Sequence, residues 1–130
     1  MIVKKLKEVE GRIITQLEHK GKKVDVGEVQ MKWLSYQDLG DYKHDFIVRH
    51  VAYKPGTKVP MHEHEYAHSL YILEGRFEMT SGGETREVGP DTFIDIPPFE
   101  PHEAKNLGDE QAALLCCINC VGNGDNCVPK

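Results

Sequence analysis

Proline and glycine divide the chain into short apolar stretches with the composition of β-strands, and this punctuation limits the possible folds more than any other feature. The clearest stretch, residues 46–53, is rich in β-branched and aromatic residues and is followed by a turn at Pro55-Gly56. Further stretches follow at short intervals, at residues 29–34, 69–73, 76–80, 85–88, 92–96 and 112–118. After residue 45 no stretch shows the 3.6-residue period of an amphipathic helix. The sequence therefore predicts an all-β sandwich or barrel.

Length and charge narrow the range of partners. The chain has 130 residues, the size of one domain, and its formal net charge of −5 comes from interspersed acidic and basic residues. Because no basic stripe is present to meet a phosphate backbone, nucleic acid is not an expected partner. No apolar run approaches the roughly 20 residues that span a bilayer, and the basic N-terminus lacks the apolar region of a signal peptide. We expect a cytoplasmic protein with no membrane partner.

The chain divides into three expected regions. Residues 1–28 are polar and rich in Lys and Glu, and we expect an N-terminal extension of one or two extended strands. Residues 29–119 are expected to form the barrel, and residues 120–130 a C-terminal tail that contains cysteines. The segment 22–34, which includes Trp33, suits the addition of a strand to the sheet of a second copy, so we expect a homodimer.

Three histidines fall within seven residues, shortly after the turn at Pro55-Gly56. His62 and His64 are two positions apart, so in a strand their side chains lie on the same face. His68 follows at the start of the next strand. Neutral imidazole is a common ligand for zinc, copper, iron and nickel. A solvated polar loop would explain an isolated His-x-His pair, but three histidines this close together favour a metal site.

These histidines lie in a segment that resembles the first signature of the cupin superfamily, G-x5-H-x-H-x3-4-E-x6-G. Gly56, His62, His64 and Gly75 occupy the matching positions with every spacing kept. His68 stands where most cupins have glutamate.

A second segment resembles the second cupin signature, G-x5-P-x-G-x2-H-x3-N, fifteen residues after the first. Pro97, His102 and Asn106 match it, whereas Asp91 and Phe99 replace its two glycines. Aspartate tolerates the left-handed backbone conformation better than most residues. The resemblance covers residues 29–119 and implies a double-stranded β-helix, the jelly-roll barrel of cupins, here with extended N-terminal strands.

Histidine in place of the signature glutamate, as at His68, is similar to the pattern of a subset of small single-domain cupins in which four histidines hold one metal ion. By this resemblance the ligands are His62, His64, His68 and His102. The ion would be one divalent transition metal, and ligand type alone does not choose among Fe, Mn, Zn, Ni, Co and Cu. Four neutral ligands leave the ion more positive than three histidines and a glutamate would, which favours anionic or bidentate oxygen ligands in the open positions.

Two further residues are candidates for catalysis. Arg49 resembles an arginine that the four-histidine subset places near its pocket, where it would offer a planar pair of donors to a carboxylate. A surface arginine is the alternative. Cys116 shares a strand face with Leu114 and Ile118, and the resemblance implies that this face looks into the barrel.

All four cysteines lie in the last fifteen residues, at positions 116, 117, 120 and 127. Disulfides are disfavoured in a cytoplasm. Cys117, Cys120 and Cys127 have partial ligand spacing for a second site that would hold Zn or Fe. Packed free thiols followed by a loose tail are the other interpretation.

Three functions remain compatible with this sequence. The resemblance favours a mononuclear metalloenzyme that acts on a small molecule, with a dioxygenase-type oxidoreductase ahead of an isomerase or lyase, because all-histidine cupin sites resemble those of metal-dependent dioxygenases. The alternatives are a metal-containing module that binds or senses a small ligand without catalysis, and a metal that only holds the barrel together. Anionic molecules are among the candidate substrates or ligands. The fold by itself does not choose among these functions.

Overall fold

Ten β-strands follow a short 3-10 turn at Leu6–Glu8 in the computed structural model, which describes residues 1–36 and 44–119, apart from the side chains of residues 18 and 19. The strands are β1 (Arg12–His19), β2 (Lys22–Ser35), β3 (Phe46–Tyr53), β4 (Lys58–His62), β5 (His68–Glu74), β6 (Phe77–Ser81), β7 (Glu84–Val88), β8 (Phe93–Ile96), β9 (His102–Asn106) and β10 (Ala112–Asn119). The all-β class is confirmed. The described part of the chain contains no helix with the length and apolar character that crossing a bilayer requires.

The strands form two antiparallel sheets that pack as a jelly-roll sandwich. Sheet A has the order β1-β2-β3-β10-β5-β8, and sheet B has the order β4-β9-β6-β7. Strands distant in sequence are neighbours, since β10 lies between β3 and β5 and pairs with both. The predicted jelly-roll barrel is therefore confirmed.

The core lies between the two sheets and is built by strand alternation. On β10 the inward residues Leu114, Cys116 and Ile118 are at most 4% exposed. Sheet B contributes Phe77, which is fully buried and meets the ring of Tyr53 edge-on at 5.1 Å between centroids. This apolar interior surrounds the histidines of the two signatures.

The N-terminal residues join sheet A instead of extending from it. β1 and β2 form a hairpin, and β2 pairs with β3 from Val29 to Ser35. The predicted boundary at residue 28 falls inside β2, and Val26, on the other side of it, is 2% exposed in the core. Both edges of β2 are occupied within the chain, and among the described strands the edge of the sheet on this side is formed by β1. The division into regions and the homodimer stay predictions, and residues 120–130 lie outside the described residues.

Gly75, the last residue of the first signature, is required on two counts. Its φ of +79° lies in the left-handed region. A Cβ at this position would lie 2.6 Å from the Cβ of Ala112 and 2.7 Å from its Cα, which is closer than real atoms approach. Glycine therefore allows β5 to turn into β6 directly against the start of β10.

The two residues that replace signature glycines keep the backbone conformation of glycine. Asp91 has a φ of +63° and Phe99 a φ of +62°. The backbone N–H of Phe99 donates to the carbonyl oxygen of His64 over 2.8 Å, which ties the two histidine-bearing loops together. Phe99 is 64% exposed, so its side chain adds little packing to offset the strain of a left-handed conformation, about 1–2 kcal/mol.

We expect Phe99→Gly to raise the free energy of unfolding by about 0.5–1 kcal/mol, because relief of the strain exceeds the added entropy of the unfolded chain. Urea denaturation followed by circular dichroism would measure the change. Phe99→Ala is the matched control, since it removes the ring but keeps the strained Cβ and should bring no gain. A loss of stability in the glycine variant would show that the exposed ring contributes packing that outweighs the strain.

Candidate metal centre

Two paired strands of sheet B carry the first two histidines of the site. His62 ends β4 and lies directly opposite His102, which begins β9, with 4.4 Å between the ring centroids. Simple alternation from the buried Val59 would turn Met61 inward, yet Met61 is 41% exposed. The register of β4 against β9 shifts between Val59 and His62, and this irregularity directs His62 inward.

The other two histidines come from the segment that follows β4. His68 begins β5 of sheet A, as predicted. His64 lies in the loop after β4, which ends at His62. The prediction that both side chains lie on the face of one strand is therefore wrong. The loop nevertheless brings His64 to the same cavity, because its carbonyl is held by Phe99 and its ring stacks on Tyr66 with 3.7 Å between centroids.

Nitrogen atoms of these histidines come close enough to share an ion. One nitrogen from each of His62, His64 and His102 lies within 4.8 Å of the others. His68 stands beside this group, with its Nε2 2.8 Å from the Nε2 of His64. Neighbouring nitrogens around a metal bound at about 2.0–2.1 Å are separated by about 3 Å, so this spacing is compatible with a shared ion.

The other ring nitrogen is fixed by the backbone in three of these histidines. The Nδ1 atoms of His62, His64 and His102 each lie 2.8 Å from a carbonyl oxygen two residues away. The acceptors belong to Pro60, Tyr66 and Glu100. A carbonyl only accepts, so each Nδ1 carries the proton and each Nε2 presents a lone pair. The Nε2 of His102 is buried without a hydrogen-bond partner, and this donor set fits a divalent transition metal.

The candidate catalytic residues meet His68 in the opposite wall. Arg49 of β3 and Cys116 of β10 are directly paired. Arg49 is 9% exposed and Cys116 is 2% exposed. The Nη2 of Arg49 donates to the Cys116 Sγ over 3.3 Å. The same sulfur lies 3.1 Å from the Nδ1 of His68. Arg49 is therefore a buried residue of the cavity wall and not a surface arginine.

Burial keeps two of the rings neutral. It lowers the pKa of His64 to about 4, with the nearby His102 adding to the effect. Burial lowers the pKa of His68 further, to about 2, and the neighbouring imidazoles contribute. A neutral imidazole is the form that binds a metal, and both rings are uncharged at neutral pH.

The histidines open into a cavity of about 630 Å³ with largely apolar walls. These walls include Val26, Val29, Val51, Leu70, Ile96 and Leu114. Ile14 and Leu17 of β1 also line it, so the N-terminal hairpin completes the cavity.

Sequence reasoning missed three residues of the site. Tyr66 stacks on His64, Met31 accepts from Arg49, and Trp33 lies under the same guanidinium. The alternation of Val29, Met31 and Trp33 on β2 was the available signal, because it places all three on the inward face.

The predicted second metal site cannot be followed through the described residues. Cys117 follows Cys116 on β10, so it faces the other side of sheet A, and it is a half-buried free thiol. Cys120 and Cys127 lie outside the described residues.

Residues 49–118 match the family model described as a cupin domain. The chain belongs to the cupin family. It is 41% identical over 63 residues to an uncharacterised protein of Methanocaldococcus jannaschii, which is 48% of this cupin and 50% of that protein. It is 35% identical over 63 residues to the polyketide synthase CurC of Streptomyces cyaneus, with 48% and 41% of the two chains covered. The chain thus spans half or less of the length of these curated relatives.

Solved structures resemble this cupin over more of its length. The polyketide cyclase RemF of Streptomyces resistomycificus superimposes with a TM-score of 0.75 at 27% identity, over 93% of this chain and 80% of that one. The likeness therefore includes the N-terminal hairpin region, which lies outside the residues matched by the family model.

We expect the metal-free protein to lose stability as the pH falls from 6.5 towards 4. In this window the unfolded chain protonates its imidazoles near the ordinary pKa of 6.5, while folded His64 and His68 stay neutral. The unfolded state then binds more protons, so acid favours unfolding. Urea denaturation in the presence of a chelator would measure the slope. His68→Gln removes one of the two groups and should flatten it, and an unchanged slope would contradict the assignment.

Proposed function

We propose that this cupin is a mononuclear metal-dependent enzyme acting on a small molecule, and that its reaction is of the dioxygenase type within the oxidoreductases. The observation that carries the proposal is the convergence of imidazole Nε2 atoms whose Nδ1 partners are backbone carbonyls. The proposed ligands are His62, His64, His68 and His102, and the ion is one of the divalent metals iron, manganese, zinc, nickel, cobalt and copper.

Each residue around the ligands has a part in this proposal. The bound metal would supply Lewis-acid or redox chemistry at its open coordination positions. Tyr66 orients the ring of His64 by stacking on it. Cys116, predicted as catalytic, becomes a positioning residue, because its sulfur contacts the Nδ1 of His68 and so limits how that ring turns. The apolar walls keep water away and strengthen every charge interaction inside.

The similar proteins support small-molecule chemistry without naming the reaction. One of the curated relatives is named as a polyketide synthase and one of the solved structures as a polyketide cyclase. Isomerase and lyase reactions, in which the metal acts only as a Lewis acid, therefore stay in view beside oxidation. The cytoplasmic location stays a prediction.

The alternative proposal is a metal-containing module that binds or senses a small ligand. One observation favours it, namely the composition of the cavity. Its walls are largely apolar, and of the two carboxylates that border it Glu103 is already engaged by Lys58 at 3.5 Å. Groups placed to move protons are therefore few among the described residues, with Glu63 the remaining carboxylate.

We expect the purified protein to bind one equivalent of a divalent transition metal, and His68→Ala to weaken this binding more than about 100-fold. Loss of a direct ligand should exceed the about 10–100-fold effect of a residue behind the ligands, which we expect for Cys116→Ala. Metal analysis and competition with a chelator would measure both. The matched control is His50→Ala, which removes a similarly buried imidazole of β3 that faces away from the cavity. Wild-type affinity in His68→Ala would limit the ligand set to the other three histidines.

We expect the ferrous protein to consume oxygen with at least one member of a panel of dicarbonyl and thiol compounds. The zinc-loaded protein has the same cavity but no redox chemistry, so it should consume none. An oxygen electrode would follow both forms. Absence of uptake with every compound would contradict the dioxygenase proposal and favour the Lewis-acid reactions or the binding module.

A further inference from the structure

Arg49 places a guanidinium in the cavity wall without a carboxylate to balance it. The residue is 9% exposed. Its Nη2 donates to the Sγ of Cys116 over 3.3 Å and its Nη1 to the Sδ of Met31 over 3.7 Å. Its Nε is buried and has no hydrogen-bond partner. Among the ion pairs of the described residues, none joins an Asp or Glu to Arg49.

The buried charge of Arg49 therefore lacks strong hydrogen-bond acceptors. A guanidinium has five N–H donors and stays protonated in proteins, whereas sulfur is a weak acceptor. Buried charges in folded proteins are normally paired, because removal from water costs more than neutral contacts return. The cavity therefore has an unmet requirement for an anion at Arg49.

The guanidinium is also held in one orientation. Trp33 lies opposite Arg49 on the neighbouring strand, with 5.8 Å between its ring centroid and the Arg49 Cζ. The exposed Arg12 has its Cζ 5.7 Å from the same ring. A cation above an aromatic face is attracted to it, so Trp33 steadies the guanidinium from the side of β2.

Arg49 is near the histidine cluster as well as the apolar wall. Its contact atom on Cys116 also touches His68. On the other side, Val51 and Leu114 continue the wall as apolar surface.

We infer that the ligand of this cavity is a monocarboxylate with an apolar body, and that Arg49 selects it. The carboxylate would take two N–H···O bonds from the Nη atoms of the guanidinium, whose present acceptors are the weakly accepting sulfurs of Met31 and Cys116. The apolar body would pack against the valine and leucine side chains, in a volume that suits a small organic acid. The inference rests on the proposed function in one respect, since this ligand is taken to be the molecule that also meets the metal.

The fluorescence of Trp33 tests this directly, because it is the only tryptophan in the chain and lies against Arg49. Benzoate, 3-phenylpropanoate and hexanoate would be titrated into the metal-free protein, each beside its primary amide. We expect the acids to bind about 10–100-fold more tightly than the amides. Arg49→Gln should remove this preference, and Arg49→Lys, which keeps the charge without the fork, should retain part of it.

Arg12→Gln is the matched control, because it removes the other guanidinium near the same ring and should leave the preference intact. Circular dichroism would establish that each variant is folded, and Arg49→Lys keeps the test decisive if Arg49→Gln does not fold. Equal affinity for acid and amide, no saturable binding of any acid at millimolar concentration, or a preference lost in Arg12→Gln but kept in Arg49→Gln would overturn the inference.

The same titrations separate this inference from the proposed function. An Arg49-dependent preference for acids in a protein that fails to bind metal would support the inference while the proposed metal centre fails. Metal binding with no such preference would overturn the inference and leave the metal centre standing.

Discussion

The site depends on holding several imidazole rings close together between the two sheets, where they are partly shielded from water. Such rings repel one another once protonated, so the cluster requires that they stay neutral. Burial lowers the pKa of His64 and His68 towards this end. For His62, His64 and His102, a backbone carbonyl holds the Nδ1 proton, and the Nε2 lone pairs are left to face the cavity. The two sheets supply the rigid frame on which these requirements can be met at once.

The same cavity contains a positive charge as well as neutral lone pairs. Arg49 contacts Cys116, and Cys116 contacts His68, so the guanidinium and the histidine cluster share one sulfur atom. The Nε2 lone pairs can coordinate a cation, and the guanidinium can donate hydrogen bonds to an anion. The two binding groups are adjacent, which is the arrangement expected of a cavity that holds a metal ion and an anionic molecule together.

Backbone strain marks the loops that bring the histidines together. Gly75 closes β5 against Ala112 with no room for a side chain. Phe99 accepts a left-handed conformation that glycine would take freely, and its N–H holds the loop of His64. The strained residue thus belongs to the hydrogen bond that joins the two signatures, as is common where a site must be held in one geometry.

The sequence alone indicated most of the strands and the two signatures with the histidines they carry, because alternation and turn residues act over short distances and the signatures record fixed spacings. It did not reveal β9, whose exposed Lys105 and short length resemble a loop. It also placed His64 on a strand, and it did not show that β2 supports Arg49 with Trp33 and Met31. Those features follow from the register shift between β4 and β9 and from the pairing of β2 with β3. Contacts between residues far apart in the chain depend on how sheets pair and pack, so only the tertiary structure decided which side chains surround the site.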